Sequence, residues 1–135
     1  MSRSGYSDDC ENLSLWRGTV TRSLRGKRGQ AFLRELAAAM DAMTVKELIA
    51  SQLVNEQGQC CTIGVVCKAR QLDVTVVDES DPADVAKFVG VAHAMAAEIA
   101  YMNDEWTEWN HPPETPEQRW KRMRKWVADN LREQQ

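Results

Sequence analysis

The stretch Asp81-Pro-Ala-Asp-Val-Ala-Lys-Phe-Val-Gly90-Val-Ala-His-Ala-Met-Ala-Ala-Glu-Ile-Ala-Tyr-Met102 reads as helix along its whole length. Asp81 can cap the first turn with its carboxylate, and Pro82 sits at the first helical position, where its missing N–H costs nothing. Val85, Phe88/Val89, Ala92, Met95/Ala96, Ile99 and Met102 then recur at helical spacing for about five turns. Gly90 interrupts the run at about 1 kcal/mol of lost propensity, so a bend is expected there.

The rest of the chain repeats this pattern. Leu13, Trp16, Val20 and Leu24 fall at i, i+3, i+7 and i+11, one face of an amphipathic helix, with Arg17, Arg22 and Arg25 on the other. Gly26 and Gly29 punctuate Arg25-Gly-Lys-Arg-Gly29, which reads as a basic turn. Phe32, Leu33, Leu36, Met40 and Met43 line a second helix, with Ala37 to Ala39 supplying propensity. Thr44 and Glu47 form a capping-box pattern that predicts a short helix over Val45 to Gln52. Asn55-Glu-Gln-Gly58 is turn-like. The β-branched residues between Cys60 and Cys67 suit either strand or helix; the expectation is a small hairpin near 53–60 and a helix from about Cys61 to Arg70. The run Asn103 to Glu114 breaks the pattern, since His111-Pro-Pro113 forbids helix. Thr115-Pro-Glu-Gln118 is a second capping box, opening a helix edged by Trp120, Met123, Val127 and Leu131.

The sum is an all-α or mainly α bundle of about four long and one or two short helices, expected as one domain over 12–135 after a flexible segment 1–11. βαβ alternation is absent, which disfavours a nucleotide-binding parallel sheet. No apolar run approaches the roughly 20 residues that cross a bilayer, and Met1 to Glu11 has no hydrophobic signal core. With the four cysteines out of any secreted-scaffold spacing, the expectation is a cytoplasmic protein with reduced thiols and no membrane partner.

The charges are sorted. Asn12 to Arg34 holds six cations and no acid, whereas Gln71 to Trp109 holds nine acids and one cation, in a chain of formal net charge −3. Such polarity steers charged partners. Asp104, Glu105 and Glu108 lie among Trp106 and Trp109, an acidic and aromatic segment suited to a protein contact because indoles bury large rigid surfaces. With Asn103 this run could offer oxygen ligands to a divalent cation, but it lacks the ordered spacing of a calcium loop. Arg22, Arg25, Lys27 and Arg28, with Arg119 and Arg122 on the last helix, are the candidates to meet phosphates or an acidic partner. A sequence pI near 5.4 argues against high non-specific affinity for nucleic acid. Adjacent Cys60 and Cys61 do not form a metal-ligand pair, and no flank around any cysteine, His93 or His111 marks a nucleophile. No catalytic residue, metal or cofactor is therefore assigned. Five tryptophans and six methionines exceed what a small core must hold, which allows a homodimer seam.

The segments Met1 to Asp9, Arg25-Gly-Lys-Arg-Gly-Gln-Ala-Phe-Leu-Arg-Glu-Leu36, Glu98-Ile-Ala-Tyr-Met-Asn-Asp-Glu105 and Thr115-Pro-Glu-Gln-Arg-Trp120 carry a resemblance. On them the chain resembles a family of small uncharacterised proteins of tailed phages and prophages. These segments bring no known active site. The resemblance implies a bacterial cytoplasm during infection or lysogeny, and a protein that binds and blocks a host or phage complex, as anti-CRISPR inhibitors do in counter-defence. The alternative expectation is a nucleic-acid-binding accessory protein using the basic segment 17–34.

Overall fold

The computed structural model describes residues 3–6, 13–106 and 113–132. Among them the protein is mainly α-helical: α1 (Leu13–Arg25), α2 (Lys27–Asp41), α3 (Thr62–Ala69), a 3-10 turn at Val74–Val76, α4 (Pro82–Val89), α5 (His93–Asp104) and α6 (Pro116–Asn130).

The long run at 81–102 is two helices rather than one. Gly90 adopts φ +81° and ends α4 in a left-handed cap, its N–H returning to the Ala86 carbonyl at 2.8 Å. A left-handed residue terminates a helix instead of bending it, and glycine enters that conformation without a Cβ penalty. The axis then turns by 110° into α5. This turn sends α5 through the middle of the molecule, where it packs on α1, α3, α4 and α6. Ala94, Met95, Ala96, Ala97, Ile99 and Ala100 are all buried, so α5 has apolar residues on several sides, as a central helix requires. It also runs to Asp104, past the point where the pattern break at Asn103 placed its end.

Two helices cross closely at Gly29. This residue does not belong to the turn; it lies inside α2, which starts directly after Gly26. A Cβ on Gly29 would stand 1.9 Å from the Ser23 carbonyl oxygen, so the absence of a side chain lets α1 and α2 meet.

The short helix expected at 45–52 is absent. Its backbone groups have tertiary partners instead. Leu48 donates to the Pro116 carbonyl at 3.0 Å and Ile49 to that of Cys60 at 2.9 Å. The Ile49 carbonyl accepts from Asn103 at 3.0 Å, and that of Leu48 from Arg119 at 3.1 Å. Buried Leu48 and Leu53 anchor the segment. Lys46 folds back onto the end of α2, donating to the Asp41 carbonyl and to that of Met43 just beyond it. The hairpin at 53–60 reduces to a turn closed by one antiparallel bridge, Val54 to Cys60, with no strand. The helix after it forms as expected, with the Cys61 sulfur accepting from the Gly64 N–H at its start. The Thr115–Gln118 capping box is complete, and α6 buries Met123 and Val127.

Gly29→Ala should lower unfolding free energy by about 1–3 kcal/mol, because backbone rather than a flexible side chain blocks the added methyl. Urea denaturation followed by circular dichroism measures this directly.

Candidate interaction surfaces

The described acids of the acidic stretch are occupied within the molecule. Asp73, Asp78 and Asp81 accept from backbone N–H groups two residues on, and Asp84 accepts from the Asp78 N–H. Glu79 takes the Leu53 N–H at 2.9 Å. Glu98, only 4% exposed on a central helix, accepts both Arg17 guanidinium nitrogens at 2.7 and 2.8 Å. Asp104 is paired with Arg3 at 2.7 Å and also takes the Ser51 N–H. Glu105 accepts from the Ser4 hydroxyl at 2.8 Å. Trp106 stays 45% exposed, in edge contact with Tyr101. Glu108, Trp109 and His111 lie outside the described residues.

Asn103 is a structural junction. It is 1% exposed, and its side-chain oxygen accepts from the Thr62 N–H and hydroxyl. Its amide nitrogen donates to the Ile49 carbonyl and to Asp104. Arg119 and Arg122 join it: both reach its main-chain carbonyl, and both pair with Glu114. Arg122 also donates to the Met102 carbonyl at 2.6 Å. These two arginines cap the end of α5.

The basic segment is disposed in the opposite way. Arg22, Arg25, Lys27 and Arg28 are all exposed where α1 meets α2. Arg22 reaches only the Thr19 hydroxyl, and the other three side chains have no bonded partner among the described residues. Lys27 and Arg28 occupy the first turn of α2, which contains no acid and whose cap, Gly26, contributes no side-chain bond. Cations there oppose the helix macrodipole, at a cost of about 0.3–1 kcal/mol each. Buried Gln30 fixes the corner by bonding the Leu24 and Asn130 carbonyls and the Arg132 N–H. Exposed Arg132 therefore joins this end of the molecule. No sequence signal linked it to the turn, because the link is one glutamine on another helix.

An open groove of about 510 Å³ lies between the end of α2, the 43–47 segment, the 57–59 turn and α3. Met43, Val65 and Cys60 make it largely apolar, and exposed Val45 stands at its rim. Cys60, Cys61 and Cys67 are buried free thiols, and burial pushes Cys67 up to about 12. His93 stacks edge-on against Trp16. Among the described residues no group of three metal-ligating side chains converges, and no single helix is long and apolar enough to cross a membrane. No family model, curated protein or solved structure matches the chain.

Burial by itself pushes the Asp104 carboxyl up; the Arg3 guanidinium, the Asn103 amide and the Ser51 N–H more than reverse this and hold it below its ordinary value. A folded value below the unfolded one means that the unfolded chain binds more protons in acid. The stabilisation is complete above an unfolded carboxyl value of about 4 and is lost as pH falls through the folded value. Asp104→Asn should therefore flatten the stability curve between about pH 5 and pH 2, measured as urea midpoints across that range. The Cys67 thiol, neutral at pH 8, should alkylate far more slowly in the native protein than in urea, as peptide mapping after iodoacetamide would show.

Proposed function

We propose that this is a non-enzymatic accessory protein of phage or prophage origin. It acts in the bacterial cytoplasm by binding a host or phage protein complex, with anti-CRISPR-like counter-defence as its setting. The resemblance noted in the sequence supports the origin. The observation that carries the binding reading is the asymmetry of the charges: the described acids of the acidic stretch have internal partners, while Arg22, Arg25, Lys27 and Arg28 face solvent without a carboxylate. A helix start loaded with cations costs stability where it stands, and that departure from local rules is a mark of an interaction surface. Its complement is an acidic protein surface. Such a contact accelerates association more than it slows dissociation.

A nucleic-acid reading is the second choice, favoured by a helix start at α2 whose first turn carries exposed Lys27 and Arg28 and no acid, an arrangement that suits phosphate. The acidic overall charge opposes it.

The triple reversal Arg25→Glu, Lys27→Glu and Arg28→Glu lies wholly on the surface and should leave the circular dichroism spectrum unchanged. With the partner captured from infected bacterial lysate, association at low salt should slow by about tenfold or more and lose most of its salt dependence. Unchanged association would remove this corner from the interface. A gel shift of DNA or RNA at micromolar protein and low salt, abolished by the same reversal, would favour the second reading instead.

A further inference from the structure

Residues 3–6, Arg-Ser-Gly-Tyr, lie within the segment expected to be loosely held, yet they are docked on α5. Each of the three polar side chains meets a different acid. Arg3 donates Nε and Nη2 to the two Asp104 oxygens at 2.7 and 2.8 Å. Ser4 donates to Glu105 at 2.8 Å and Tyr6 to Glu98 at 2.9 Å. Gly5, at φ +74°, turns the chain between them. The Tyr6 ring rests on Tyr101 with centroids 5.1 Å apart. Arg3 is only 7% exposed, and its Nη1 reaches the Cys61 sulfur at 3.4 Å.

This is the geometry of a bound peptide rather than of a core element. None of the four residues belongs to the hydrophobic core. The polar contacts include hydrogen bonds and an ion pair, whose net contribution is modest because water satisfies the same groups after release, and the Tyr6 ring adds aromatic contacts with Tyr101 and Trp16. Undocking hydrates Arg3 and Asp104 together, so neither is left as a buried charge without its partner, which is what makes a single truncation costly. The face beneath offers three carboxylates and an aromatic ring beside Trp106, which is already exposed.

We infer that this face of α5 is a peptide-recognition site held in cis by residues 3–6, and that in trans it takes a partner segment of the form Arg-x-Gly-aromatic. Asp104 receives the guanidinium through two parallel bonds, a fork that lysine cannot supply. Glycine is required by the left-handed turn. The aromatic residue covers Tyr101, and its hydroxyl reaches Glu98. The strap sets a threshold, because an incoming segment competes with one already tethered at high effective concentration. These observations are independent of the basic corner, so either surface can fail without the other.

The test uses the full-length double variant Arg3→Ala, Tyr6→Ala, whose own strap cannot lock, and a labelled peptide with the sequence of residues 1–7, read by fluorescence anisotropy. The peptide should bind the variant about tenfold or more tighter than it binds the wild-type protein. Peptides carrying Arg3→Lys or Gly5→Ala should bind the variant about tenfold or more weakly. Absence of binding to a variant that keeps the wild-type circular dichroism spectrum overturns the inference, as does equal affinity for all three peptides. Should the variant not fold, hydrogen exchange on the wild-type protein decides. Strap amides that exchange well before those of α5 support a detachable segment, and exchange in step with α5 overturns it. A wild-type dimer in sedimentation that the peptide dissociates would give the site to a second copy of this chain and overturn the partner reading.

Discussion

The fold depends on the side chain of Asn103. An amide buried to this degree is tolerable only when its whole hydrogen-bonding capacity is used, and here it is: two bonds arrive at the oxygen and two leave the nitrogen. These bonds tie the start of α3 and the irregular segment at Ile49 to the end of α5, while the Asn103 carbonyl collects Arg119 and Arg122 from α6. One residue thus holds four parts of the chain at a fixed spacing. The 43–54 segment can be irregular and still partly buried because Asn103, Arg119 and the Pro116 carbonyl receive or supply its backbone bonds. A partly satisfied network of this kind would be worse than an apolar one, which is why its members are so fully engaged.

The sorting of charge along the chain is resolved unevenly by the fold. Short acidic side chains bond readily to nearby backbone, and Asp73, Asp78 and Asp81 do so in turns and at a helix cap. The longer or deeper acids, Glu98 and Asp104, receive arginines instead. Lys27 and Arg28 have neither option, since a guanidinium or ammonium accepts no hydrogen bond and the first turn of α2, where they sit, presents donors, not acceptors. The described acids of the acidic stretch therefore have hydrogen-bond partners within the molecule even where they are exposed, whereas Arg25, Lys27 and Arg28 have none among the described residues. A sequence with an overall excess of acid consequently presents a positive corner.

What the sequence made legible was local. The Thr115–Gln118 box, the Asp81-Pro82 start and the faces of α1, α2 and α6 depend on residues within one or two turns of each other, and all of them are found in the fold. The misreadings arose where a distant partner decided. Thr44 and Glu47 have the same box pattern as Thr115 and Gln118, but the neighbouring Leu48 N–H is taken by Pro116 before a helix can use it. Gly29 reads as a turn residue until α1 is known to cross there. Gly90 reads as a bend within one helix, because propensity alone does not tell a bend from a left-handed stop. Of the candidate surfaces, the exposed corner was legible because nothing in its own segment neutralises it. The strap was not, because Arg3, Ser4 and Tyr6 stand in a polar stretch and their acids lie some hundred residues away.

The strap and α1 meet in one carboxylate. Glu98 accepts from Arg17, which belongs to the same helix that ends in the basic corner, and from Tyr6 of the strap, with both reaching Oε1. Trp16, beside Arg17, meets the Tyr6 ring on one side and His93 on the other. The seating of α1 on α5 and the presence of an aromatic hydroxyl in the strap position are therefore not independent. An occupant that brings arginine and glycine but no hydroxyl would leave Glu98 with Arg17 alone, and Arg17 is half exposed and able to move. Whatever replaces the strap is thus selected twice: by Asp104 for its guanidinium, and by Glu98 for how well it lets α1 stay where the fold has put it.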